Sequence, residues 1–110
     1  MKEVIIAIDC DGTIYGSPFM HRAEPTLNLR TVQLMELLHE HIRNVKIIVW
    51  SGGGKEYAEQ IVNKFGLEKW VDLCIGKAEY DEVLHGKIDI AIDDEPFFDM
   101  AAINLIVKTK

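Results

Sequence analysis

The apolar runs of this chain do not alternate with polar residues. Val4–Ile8 is unbroken, Val45–Trp50 admits one lysine, and Trp70–Ile75, Ile88–Ile92 and Asn104–Val107 are short and rich in Val, Ile and Leu. A strand with one wet face shows a two-residue period; runs without it belong to strands covered on both faces, the usual state of a parallel sheet. Helical patterns lie between the runs. Asn28 is placed to cap a helix reaching about Ile42, with Leu27, Leu34, Leu38 and Ile42 along one side. After Gly52-Gly53-Gly54 a second helix runs to about Phe65, with Ala58, Ile61, Val62 and Phe65 inward and Gly66 as its stop. Residues 12–26 read as a loop, 78–85 as a short helix stopped by Gly86, and Pro96 to Ala102 as a helical turn. Strand and helix in alternation predict an α/β fold: a three-layer, doubly wound, Rossmann-like domain with a mainly parallel five-stranded sheet. With 110 residues there is room for one core, so residues 1–110 form one domain.

The polar residues that close these runs carry the functional information. Asp9, Ser51 and Asp93-Asp94 each directly follow an apolar strand. In an open parallel sheet all carboxyl ends share one rim, and ligands bind there where the strand order reverses. Groups distant in sequence therefore converge, provided that the first strand lies between the second and the fourth.

Charge narrows the partners. The formal net charge is −6. Such a surface repels phosphate backbones and disfavours general nucleic-acid binding. A phosphate site in this chain needs local positive charge, and a metal ion is the expected source. Cys10 and Cys74 sit in or beside apolar runs and read as buried free thiols of a reducing compartment. The opening apolar run is too short for a signal peptide or a membrane span, so the expected location is cytoplasmic, away from membranes.

Asp9-Cys10-Asp11-Gly12-Thr13 places two carboxylates two residues apart at a strand end. Gly12 permits the sharp turn that aims Asp11 inward. A turn that only bends the chain is the competing explanation. Taken alone, Ser51 fits a helix N-cap and Asp93-Asp94 fits a helix start.

Together the segments are more specific. Val4–Thr13 (VIIAIDCDGT) resembles the first motif of the haloacid dehalogenase-like (HAD) phosphatase superfamily; Ile47–Gly52 (IIVWSG) is similar to its second motif and Ile90–Pro96 (IAIDDEP) to its fourth. The resemblance implies a Mg²⁺-dependent phosphohydrolase, with a covalent aspartyl-phosphate on Asp9 and a phosphorylated substrate. Asp11 is implied as general acid, then base, and Ser51 as hydroxyl donor to phosphate. Gly52 and Gly53 would add backbone N–H groups at a helix start, where anions are favoured. Mg²⁺ would take an oxygen of Asp9, the backbone carbonyl of Asp11 and a carboxylate of the acid pair, with Asp94 as direct ligand and Asp93 supporting it. All-oxygen ligation suits that ion. The third motif is a lysine. Lys77, after a strand, is preferred over Lys87, which opens the fourth strand at the opposite rim. A phosphotransferase on the same site and a non-catalytic phosphate-binding or regulatory domain are the alternatives.

The spacings between motifs hold no cap domain, so the site should be open, unless a neighbouring subunit of an oligomer or the 14–26 loop covers it, and suited to large or exposed phosphorylated substrates, with hydrolysis favoured over transfer. Two other phosphate folds are excluded. Ser51-Gly52-Gly53-Gly54-Lys55 is not a Walker loop, because Val49 stands where its first glycine belongs and Glu56 where Ser or Thr is needed. A receiver domain needs a phosphorylatable aspartate at the strand end that Ser51 occupies. His39 and His41 point to different faces of a helix and read as surface residues, as do His21 and Arg22 in the loop. Trp50 is placed either at the site mouth or in the core, and Phe97 and Phe98 read as core.

Overall fold

A computed structural model describes residues 3–16, 27–79, 87–94 and 101–107. In chain order these form β1 (Val4–Asp9), α1 (Leu29–His41), β2 (Val45–Ser51), α2 (Lys55–Lys64), β3 (Leu73–Gly76), β4 (Ile90–Asp93) and β5 (Ile103–Ile106). The five strands make one sheet in the order β3-β2-β1-β4-β5, with every neighbouring pair parallel. The chain steps outward from β1 through β2 to β3, then crosses to the other side of β1 for β4 and β5. β1 therefore lies between β2 and β4, as convergence at the rim requires.

Both faces of the central strands are buried, which explains the unbroken apolar runs. Ile6 and Ile8 of β1, Ile47 and Val49 of β2 and Ile92 of β4 share one cluster with Met35 of α1 and Ala58, Ile61 and Val62 of α2. Ala7, Ile48, Trp50 and Ala91 form a second cluster with Ile75 and Ile88. Both described helices thus cover the same face. The short helix expected at 78–85 and the helical turn at 96–102 fall mostly outside the described residues, where only the 3₁₀ turn Lys77–Glu79 and the bend at 101–102 are seen. Among the described residues, no helix is long and apolar enough to cross a membrane.

Local chemistry sets the boundaries. The Asn28 side chain accepts from the Thr31 N–H at 3.4 Å and starts α1. α2 ends in a Schellman arrangement: Leu67 N–H donates to Val62 O (2.9 Å) and Gly66 N–H to Asn63 O (3.3 Å), with Gly66 at φ +66°. Two aspartates fix strand register. Asp72 N–H donates to Ile47 O and its carboxylate accepts from Ile47 N–H, both at 2.8 Å. Asp89 does the same with Ile5, at 2.9 and 2.8 Å.

The expected third strand is corrected at its start. Glu68–Trp70 is a 3₁₀ turn and β3 begins at Leu73. Trp70 N–H donates to Leu67 O, and its ring packs against the helix-face cluster under Lys69 Nζ, 4.4 Å from the ring centre. Its apolar surface is covered without joining the sheet. The fourth strand likewise starts at Ile90 instead of Ile88, because Asp89 turns its backbone and side chain to Ile5.

Candidate functional site

β1 and β4 deliver their terminal acids to adjacent positions on the carboxyl rim. Carboxylate oxygens of Asp9, Asp93 and Asp94 lie within 4.8 Å of one another. Asp9 and Asp93 are 5% and 3% exposed. Three clustered acids of this kind need positive charge. Lys77, one residue past β3, supplies it: Nζ lies 2.9 Å from Asp9 Oδ1 and 2.7 Å from Asp93 Oδ2. The short link from Gly76 brings this lysine across the end of β2 to both acids. Lys87 is exposed and lines a surface hollow with Glu3, Ile5 and Asp89 at the amino ends of β1 and β4.

Two residues of the β1 turn complete the acidic corner. Thr13, fully buried, donates its hydroxyl to Asp9 Oδ2 at 3.2 Å. Gly12 has φ +81°, and a Cβ there would sit 2.2 Å from Asp94 Oδ2. The glycine is thus required twice, for the backbone conformation and for the close approach of Asp94.

Electrostatics reflect this crowding. Burial raises the Asp9 carboxyl above its ordinary value, against the pull of Lys77. Asp94 is pushed up to about 7, first by burial and then by its hydrogen bonds with Asp93 and Asp9. Burial alone would lower the Lys77 ammonium, but its bonds with Asp93 and Asp9 outweigh that and raise it. The corner therefore holds a proton more readily than separate aspartates do, and a divalent cation offers the same compensation. An all-oxygen cluster of three carboxylates is chemically suited to a hard ion such as Mg²⁺.

Ser51 ends β2 on the same rim, opposite Gly76 in register and 3% exposed. Its Oγ accepts from Gly53 N–H at 2.9 Å, and its carbonyl accepts from Gly54 N–H at 3.2 Å. The Gly53 N–H is thus committed within the turn, while the Ser51 hydroxyl proton can still be donated. Gly52 is exposed. Trp50 is fully buried on the sheet face opposite the helices, which resolves its placement in favour of the core. Cys10 and Cys74 are unpaired thiols. His39 and His41 are exposed on α1; His21, Arg22, Phe97 and Phe98 lie outside the described residues.

Asp11 departs from the acid trio. Its Oδ1 accepts a 2.5 Å hydrogen bond from the Tyr57 hydroxyl, and that hydroxyl is bonded in turn to the hydroxyl of Tyr15. Burial and then the Asp11 bond push the Tyr57 phenol up, so it remains a donor. Thr13, Tyr15 and Tyr57 were not singled out by sequence reasoning as site residues. Thr13 was visible in the opening motif. Tyr57 carried no signal, because a tyrosine in the first turn of an amphipathic helix has no distinguishing pattern.

No family model, no curated protein and no solved structure matches this chain.

Proposed function

We propose that this chain is a Mg²⁺-dependent phosphohydrolase working through an aspartyl-phosphate on Asp9, with the three-layer, capless architecture of the HAD-like phosphatases. The observation that carries the reading is the meeting of Asp9, Asp93 and Asp94 at one rim, with Lys77 bridging two of them. A purely structural ion pair needs one acid for one lysine. Here three acids meet, and among the described residues one ammonium bridges two of them, a crowding of negative charge that a bound cation would relieve.

Each residue has a role in the balanced reaction. An Asp9 carboxylate oxygen forms a bond to phosphorus as the bond from phosphorus to the ester oxygen breaks. Asp11 gives its proton to that departing oxygen. Water then attacks the phosphorus of the aspartyl-phosphate, Asp11 takes the proton, and inorganic phosphate leaves with Asp9 restored. Lys77 and Thr13 hold the two oxygens of Asp9, which limits the rotation available to the nucleophile. Ser51 donates its hydroxyl to a phosphoryl oxygen. Mg²⁺, held by Asp9, Asp94 and the Asp11 carbonyl with Asp93 in support, would neutralise the charge that opposes attack of an anion on an anion.

The test is phosphate release from p-nitrophenyl phosphate with and without Mg²⁺. Asp9→Asn and Asp11→Asn should each reduce kcat by at least roughly a hundredfold. Turnover unchanged in both purified, folded variants would falsify the reading. An added alcohol acceptor should leave the phosphate yield unaltered, and capture of the phosphoryl group by the alcohol would instead identify a transferase.

A further inference from the structure

The carboxylate assigned to proton transfer is held by a phenol from a different element. Tyr57, in the first turn of α2, donates to Asp11 Oδ1 at 2.5 Å across 46 residues of sequence. With its proton committed to Asp11 Oδ1, the Tyr57 oxygen accepts from Tyr15. Tyr15 belongs to the same turn as Asp11: Gly12 N–H donates to Tyr15 O at 2.9 Å, and the Tyr15 ring lies 5.9 Å from that of Phe65 at the far end of α2. The two phenols thus tie the turn that bears Asp11 to α2 at both ends of the helix. Asp11 is thereby held through Oδ1.

We propose that Tyr57 is a positioning residue for proton transfer: by holding Asp11 Oδ1 it presents Oδ2 to the ester oxygen that leaves. This rests on the phosphohydrolase reading of the site. Its consequence is selective. An ester that leaves as a basic alkoxide needs a correctly placed proton donor, whereas p-nitrophenolate leaves without much help. Loss of the phenol should therefore penalise alkyl phosphates more than aryl phosphates, while binding of the phosphoryl group and metal is untouched.

The experiment compares wild-type protein, Tyr57→Phe and Tyr15→Phe on p-nitrophenyl phosphate and glycerol 2-phosphate at saturating Mg²⁺. Phenylalanine keeps the ring and its packing. For Tyr57→Phe, kcat on the aryl ester should fall roughly tenfold and on the alkyl ester at least roughly fiftyfold, with KM and half-saturating Mg²⁺ within about twofold of wild type. Tyr15→Phe should show the same inequality to a smaller degree, and it carries the test if Tyr57→Phe does not fold. Equal losses on the two esters, or a raised KM with unchanged kcat, would overturn the proposal while leaving the phosphohydrolase reading intact. Absence of Mg²⁺-dependent turnover by wild-type protein on both esters would remove both.

Discussion

Replacing Lys77 by methionine tests the electrostatic logic of the site without any assumption about substrate. The ammonium contacts Asp9 at 2.9 Å and Asp93 at 2.7 Å, and the three side chains are only 11%, 7% and 4% exposed. At an effective dielectric of about 20, each contact is worth about 6 kcal/mol of gross attraction, most of it offset by desolvation. What survives on removing one partner of a buried pair is about 3–5 kcal/mol, because the remaining charges stay buried without compensation. The trio can relieve part of that by taking up a proton. A carboxyl whose folded pKa is raised contributes stability at low pH that is lost as pH climbs through the folded value. The damage should therefore be larger near pH 8 than near pH 6. Urea denaturation followed by far-UV circular dichroism, in chelator, should show a loss of about 4 kcal/mol near pH 8, or a Tm drop of roughly 15–20 °C. Lys87→Met, at an exposed lysine on the opposite rim, should stay within about 0.5 kcal/mol of wild type. A Lys77→Met loss below about 1 kcal/mol, or one equal to that of Lys87→Met, would refute the claim that this lysine compensates a buried acidic corner.

Asp94→Asn removes a carboxyl whose folded value sits at about 7 and so should stabilise the metal-free protein above that pH. Because Asp94 is only half-buried, screening limits the gain to about 1 kcal/mol, read by urea melts in chelator. The same variant should weaken Mg²⁺ binding measured by calorimetry, and unchanged affinity would remove Asp94 from the ligand set. Gly12→Ala places a methyl against Asp94 and strains a φ of +81°; a loss of about 2 kcal/mol is expected, along with loss of Mg²⁺-induced stabilisation. Asn28→Ala removes the α1 cap and should cost about 1 kcal/mol in urea denaturation; a loss within about 0.2 kcal/mol of zero would show that the cap bond contributes nothing.

How far the sequence could be read depended on the range of the interactions involved. The Asn28 cap and the Gly66 stop were visible because each acts on atoms within four residues of itself. The strand ends at Asp9, Ser51 and Asp93 were visible because burial on both faces leaves an unbroken apolar run, and a buried charge must sit where the run stops. Trp70 was misassigned because an aromatic residue in an apolar stretch is equally at home in a strand or on the flank of a helix layer. Only the packing around Trp70 distinguishes them.

By itself, the sequence determined an α/β pattern, the rough location of its five strands and the acids that end the first and fourth, since these follow from local periodicity and the cost of burying charge. Tertiary structure alone decided that β1 lies between β2 and β4 and that Tyr57 reaches Asp11, and it joined to the acids the Lys77 that the sequence only favoured over Lys87. The reason is physical. Those contacts join residues from 16 to 84 positions apart along the chain, and no periodicity within one segment encodes the partner that a sheet's strand order will place beside it.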